Sequence, residues 1–294
     1  MDTIYWDHYY DQIILLNLLI VIALFTSLRL FSGAIAHIKA SDELLKKDNP
    51  AFGISLAGAT FAVTIMLSGT IYGSPENDMW YSIISVGVFG VIGIVMMAVT
   101  RLIFDKITLS AISLRDEIVK GNIAVAITDA ANVMAAAIII RAVLVWVTVA
   151  SMDGMWALLG GYVVSQIILT SMTLVKRCAF AMIHKGNNVQ AELQKGNIAL
   201  ALRFGGRKIG TAFAIATAAH MVNYDEYNII PILSAWFAAS LGAVLAWALL
   251  CIVAERIVLF RVDRKQEVVD RKNIAVGALQ AVIYISMGLL ISSL

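Results

Sequence analysis

The chain has 294 residues, of which 60% are hydrophobic and only 14% charged. A soluble domain usually carries about a quarter charged residues and somewhat under half apolar ones, so a mean hydropathy of +0.85 excludes a soluble globular enzyme and a disordered chain. The net charge of +2 gives no electrostatic reason to expect nucleic acid as a partner.

In chain order, eight segments reach the roughly 20 mostly apolar residues that a helix needs to cross about 30 Å of hydrocarbon. They are 12–37, 50–72, 79–104, 122–150, 154–182, 197–222, 228–260 and 273–292. The fold class they predict is all-α, a polytopic transmembrane bundle of eight helices whose short connections leave no room for a soluble domain. The N-terminus and the loops near 73–78, 151–153 and 223–227 carry Asp2, Asp7, Asp11, Glu76, Asp78, Asp153, Asp225 and Glu226, and no lysine or arginine. The other four loops carry Lys39, Lys46, Lys47, Lys106, Arg115, Lys120, Lys185, Lys195, Arg261, Arg264, Lys265, Arg271 and Lys272. Basic loops stay in the cytoplasm, so both termini are expected on the outer side. Tyr5, Trp6, Tyr9, Tyr10, Trp80, Tyr81, Trp156, Tyr224 and Tyr227 gather near the outer ends, where aromatic rings sit at headgroup level. The first eleven residues hold three aspartates and no base, unlike the positive start of a cleavable signal. Cys178 and Cys251 form no disulfide framework and read as buried small hydrophobes.

One pattern recurs four times, as Asp48-Asn49-Pro50-Ala51, Lys120-Gly121-Asn122-Ile123-Ala124, Lys195-Gly196-Asn197-Ile198-Ala199 and Lys272-Asn273-Ile274-Ala275. Its asparagines are 73, 75 and 76 residues apart. Each repeat reads as a helix running inward, a polar linker and a helix running outward. Two helices restore the direction, so the four two-helix repeats are expected to be parallel. Asn49, Asn122, Asn197 and Asn273 are structural N-caps in this reading, because an asparagine oxygen takes an orphan N–H of the first turn. Pro50 suits the opening helical position, and Gly121 and Gly196 read as left-handed stops of the preceding linker. Asp42, Glu43, Asp116, Glu117, Glu192 and Glu267 precede the motif. Arg29, Arg101, Arg177 and Arg256 stand 20, 21, 20 and 17 residues before their asparagines. They read as snorkelling to lipid phosphates, with Leu109 to Val119 as an amphipathic helix in the inner interface.

The four-fold Lys-Gly-Asn-Ile-Ala pattern resembles the bacterial inner-membrane family called domain of unknown function 350, the YjfL-like proteins. A member of that family is a four-helix unit, so the resemblance implies two fused units, 1–150 and 151–294. It also implies a bacterial inner membrane, with both termini periplasmic. Repeat one departs from the pattern with Asp48 and Pro50 flanking its asparagine, and repeat four lacks the glycine. The family name implies no activity. Relatives in stress-associated gene neighbourhoods would imply a role in envelope stress.

Charges inside spans mark functional sites by default, since each costs a few kcal/mol at mid-bilayer. Arg141 lies ten residues from the outer loop at Ser151, about 15 Å at 1.5 Å per residue. That depth calls for an acceptor, a wet cavity or a neighbouring subunit. Arg203, Arg207 and Lys208 cluster beside Gly205, Gly206 and Gly210 in the sixth span, in its inner third. They read either as snorkelling to cytoplasmic phosphates or as an anion or headgroup site. Asp129 and Asn132 lie at similar depth in the fourth span, which makes an Asp129–Arg203 or Asp129–Arg207 pair the geometric expectation. Gly87, Gly90 and Gly93 form a stripe suited to close helix packing. No catalytic motif, metal set or cofactor signature is present in the sequence, and an enzyme is not expected. Two functions lead: an ion or small-solute channel or transporter, and a non-transporting scaffold that recruits cytoplasmic partners through basic linkers. The expected partners are the bilayer, anionic headgroups at the cytoplasmic face and further copies of the chain in a homo-oligomer.

Overall fold

The structure, a computed structural model, describes residues 12, 15–16, 18–24, 26, 40–72, 79–147, 152–183, 188–225 and 227–293. All regular elements among them are helices. The long ones are α1 (Pro50–Tyr72), α2 (Met79–Ile103), α4 (Ile123–Trp146), α5 (Met152–Ile183), α7 (Ile198–Ala216), α9 (Ile229–Val258) and α10 (Ile274–Ser292). Short helices α3 (Leu114–Val119), α6 (Val189–Gln194) and α8 (Ala218–Met221) connect them. Six stretches among the described residues are long and apolar enough to cross a membrane: Pro50–Gly69, Val86–Thr108, Ile123–Trp146, Gly154–Ile183, Ile229–Val258 and Ile274–Ser292. Helix α7 is not among them, because Arg203, Arg207 and Lys208 interrupt its apolar run. Most of the expected span 12–37, including Arg29, lies outside the described residues, as do the acidic N-terminus and the loop 73–78.

The four capped helices stand in a row, α1 against α4, α4 against α7, and α7 against α10. Lipid tails are as apolar as leucine, so helices in a bilayer hold together by close packing at small residues. The row follows that rule. A Cβ added at Gly58 would lie 2.8 Å from Ala130 Cα, and one at Gly205 would lie 2.8 Å from Ala131 Cβ. Between α7 and α10 the backbones approach closest: a Cβ at Gly206 would lie 2.6 Å from Ala281 Cβ, and one at Gly288 would lie 2.6 Å from the Gly210 carbonyl oxygen. Helices α2, α5 and α9 flank the row. Within that outer layer Gly93 receives Met66, and Gly90 packs on Leu24 and Leu67, while Gly87 faces open space.

The repeated asparagines cap α1, α4, α7 and α10 as their sequence context predicts. The side-chain oxygen of Asn122 accepts from Val125 N at 3.2 Å, and that of Asn197 accepts from Leu200 N at 3.0 Å. Each amide nitrogen has a second use. Asn49 Nδ2 donates to the Ile118 carbonyl, Asn122 Nδ2 to Leu193, and Asn197 Nδ2 to Val268, each at 3.0 Å. Every acceptor belongs to the linker of the following repeat, so the caps gather at one end and staple the linkers in sequence. Asn49, Asn122 and Asn273 also donate to the glutamate of their own linker, Glu43 at 3.1 Å, Glu117 at 3.0 Å and Glu267 at 2.9 Å.

The departures of repeats one and four have a geometric cause. In the middle repeats glutamate precedes asparagine by five residues, and Gly121 and Gly196 take φ of 85° and 72°. The Asn122 N–H then closes on the Glu117 carbonyl at 2.9 Å, a Schellman stop. In the outer repeats that separation is six, and the extra residue is absorbed by wide π turns at Asp42–Lys46 and Gln266–Asp270. Asp48 and Lys272 occupy the left-handed position at φ 47° and 52°. Each linker glutamate also pairs with the base before the motif: Glu43 with Lys47, Glu117 with Lys120, Glu192 with Lys195, and Glu267 with Arg271.

Several expected boundaries move. The amphipathic helix expected over Leu109 to Val119 is only the six-residue α3, capped by Ser113 and buried through Leu114 and Ile118. Helix α4 stops at Trp146, where Val147 turns extended, and the expected span 197–222 divides at Thr217 into α7 and α8. Cys251 is buried as expected, whereas Cys178 is exposed on α5.

Candidate functional site

A partly open cavity of about 270 Å³ lies between helices α5 and α7 in the linker-side half of the bundle. Its charged lining comes from Lys176 and Arg177 on α5 and from Arg203, Arg207 and Lys208 on α7. Positions 203 and 207 are four apart and therefore share a helix face, with 208 beside them. Met172, Phe180, Phe204 and Trp247 supply apolar walls. Arg203 and Arg207 stand six and ten residues beyond the Asn197 cap, about 9 and 15 Å along the axis.

The charges in this cavity are nearly all of one sign. Arg177 donates to the Thr108 carbonyl. Lys208 is 6% exposed and lies over the Phe104 ring, 3.9 Å from its centroid. Arg207 Nη2 donates to the Tyr284 hydroxyl at 2.5 Å, and Arg203 Nε is buried with no partner among the described residues. None of the ion pairs among the described residues involves Lys176, Arg203, Arg207 or Lys208. The nearby buried acid is already committed. Glu255 on α9 accepts from Arg264 at 2.7 Å through Oε2, and from Gln280 at 2.7 Å and the Tyr284 hydroxyl through Oε1. A buried cation is costly without a counter-charge, so this geometry stores a demand for negative charge. Guanidinium forks meet that demand with two parallel N–H donors each.

The other half of the chain handles its polar residues differently. Asp129 does not reach Arg203 or Arg207. Its Oδ2 accepts from Arg101 Nη2 at 2.7 Å and from the Ser55 hydroxyl at 2.5 Å. The expected pairing fails because Asp129 faces α1 and α2 across the row, away from the cationic face of α7. Arg101 accordingly turns into the bundle and does not reach out to headgroups, while Arg256 stays exposed. Asn132, one turn on, is fully buried, and neither of its side-chain polar atoms has a partner among the described residues. Arg141 is exposed, and its Nε donates to the Ser68 hydroxyl at 2.9 Å. Because α4 ends at Trp146, Arg141 lies five residues from the helix end, about 8 Å and within reach of snorkelling.

Sequence reasoning found the α7 cations but not their partners in the cavity. Lys176 carries no repeat signature, and Arg177 appears only as one of four recurrent arginines. Glu255, Gln280 and Tyr284 were legible only as polar residues inside apolar spans. Of the expected outer aromatics within the described residues, Trp156 and Tyr227 are exposed, whereas Tyr224 turns inward against Trp146 at 5.4 Å.

Comparison with known proteins gives one family. A model described as Domain of Unknown Function (DUF350) matches residues 6–144 and, separately, 149–294. No curated protein and no solved structure matches the chain.

Proposed function

We propose, given that the chain belongs to the DUF350 family through each of its halves, that it is a transporter-like membrane protein that binds a small anion in the α5–α7 cavity. The observation that carries this reading is a set of five cavity-lining cations, Lys176, Arg177, Arg203, Arg207 and Lys208, without a carboxylate partner among the described residues. Lys208, the buried one among them, sits where low dielectric strengthens the attraction a cation exerts on an anion. In the full reading, the six apolar helices, α7 and the segment 12–37 make eight spans. They form four parallel two-helix repeats, grouped as units 1–150 and 151–294. The gathering of all four caps at one end supports this arrangement. The linker end, which carries the exposed bases, is cytoplasmic, and both termini are periplasmic in a bacterial inner membrane. A homo-oligomer belongs to the same reading, with a second copy covering Arg141, the single exposed residue of α4.

The scaffold reading has less support. Of the linker bases it would use, Lys46, Lys47, Lys106, Lys120, Lys195, Arg264 and Arg271 are each paired with a nearby acid. The direct test is anion uptake into proteoliposomes containing the purified chain, beside an Arg203→Gln/Arg207→Gln variant of equal monodispersity. Uptake in the parent and its loss in the variant are expected. Uptake no greater than that of empty liposomes, across chloride, phosphate and small carboxylates, would rule out transport.

A further inference from the structure

The anion reading leaves open which anion the cavity takes. On that reading, we propose that the occupant is a polyvalent phosphate, a phosphomonoester or a pyrophosphate, and not a monovalent ion such as chloride. The first argument is charge. All five lining cations, Lys176, Arg177, Arg203, Arg207 and Lys208, lack an ion pair among the described residues, and Glu255, the buried acid beside them, is held by Arg264. One chloride would leave four of the five uncompensated, whereas a phosphomonoester carries close to two negative charges near neutral pH.

The second argument is donor geometry. Arg203 and Arg207 share a face of α7, and Arg203 Nε is a buried donor with no partner among the described residues. Planar guanidinium groups match the edges of a tetrahedral oxyanion, where two N–H groups meet two oxygens. A spherical halide has no such edge. Lys208, also in the lining, adds a point charge, its Nζ lying 3.9 Å from the Phe104 ring centroid. The third argument is room. A cavity of about 270 Å³ holds roughly nine waters at about 30 Å³ each, far more than one halide fills. Its apolar walls at Met172, Phe180 and Trp247 would accommodate the group that carries the phosphate.

Two sources supply this chemistry, a soluble phosphate and the headgroup of a phosphomonoester lipid. The experiment is calorimetric titration of the full chain in nanodiscs of neutral lipid at fixed ionic strength, with chloride, inorganic phosphate and pyrophosphate as probes. Phosphate and pyrophosphate should bind at least tenfold more tightly than chloride. Arg203→Gln/Arg207→Gln should weaken them at least tenfold, and Arg203→Lys/Arg207→Lys, which keeps charge but loses the forks, should fall between. Lys46→Gln, on the exposed linker, should bind as the parent does. Repeating the titration in nanodiscs containing phosphatidic acid assigns the source. Competition there, absent with phosphatidylglycerol, identifies the lipid phosphomonoester; undiminished binding identifies the soluble one. Chloride binding as tightly as pyrophosphate would overturn the proposal and leave the anion site standing. No heat with any anion, in a chain that remains monodisperse, would overturn both.

Discussion

Replacing Asn197 with alanine removes two hydrogen bonds from a fully buried position. Its oxygen no longer accepts from Leu200 N, and its amide no longer reaches the Val268 carbonyl. Loss of an asparagine cap costs about 1 kcal/mol. A buried carbonyl stranded without its donor costs about 1–3 kcal/mol more, so the sum is about 2–4 kcal/mol. Asn197→Ser keeps a capping oxygen and forfeits the staple without burying a charge, so it should cost about 1–3 kcal/mol. At the last repeat, Asn273 donates within its own linker, and Asn273→Ala should cost little beyond its cap, about 1 kcal/mol. Reversible unfolding in mixed micelles, followed by circular dichroism, reads all three. The reasoning would be refuted by an Asn197→Ala loss below about 0.5 kcal/mol, half a typical cap, or by Asn273→Ala costing as much as Asn197→Ala.

Lys272 holds φ at 52°, so Lys272→Gly should raise the unfolding free energy by about 0.5–1 kcal/mol; a lower value would mean that the left-handed backbone carries no strain there. Arg101→Leu strands the buried Asp129 carboxylate and should cost about 3–5 kcal/mol. Adding Asp129→Asn should recover much of that cost, and a double-mutant cycle showing simple additivity would dissociate the pair. In the linkers, Asn122 and then Lys120 hold the Glu117 carboxyl below its ordinary 4.5, and Lys47 and Asn49 do the same for Glu43. A carboxyl whose folded value is depressed binds fewer protons than in the unfolded chain. Its contribution is therefore present above pH 4.5 and lost as the pH falls through the folded value. Glu117→Gln should flatten the acid limb of the stability curve, and an unchanged limb would contradict this assignment.

The capping role of the asparagines was legible because a cap is local: the side chain serves its own helix two or three residues on. The stapling role was not, because nothing within Asn122 or its neighbours encodes that Leu193 will arrive beside it. Only the stacking of α4 on α7 does that. The missing glycines of repeats one and four were visible as departures, but not the six-residue spacing from glutamate that turns those linkers into π turns. The α7 cations stood out against an apolar background, whereas their companions Lys176 and Arg177 come from a helix 26 or more residues earlier in the chain. Asp129 shows the limit most clearly. Equivalent repeat position suggested an α7 arginine, while the packing of α4 against both α1 and α2 gave it Ser55 and Arg101.

The row of capped helices has a direction. In three repeats the asparagine amide points forward, committing each two-helix unit to the one that follows it in sequence. Such a joint places no upper bound on the number of units, since each needs only a neighbour's linker carbonyl. Asn49, Asn122 and Asn273 also give a hydrogen to the glutamate of their own linker, so a single amide both closes its own unit and, where a linker follows, fastens that unit to the next.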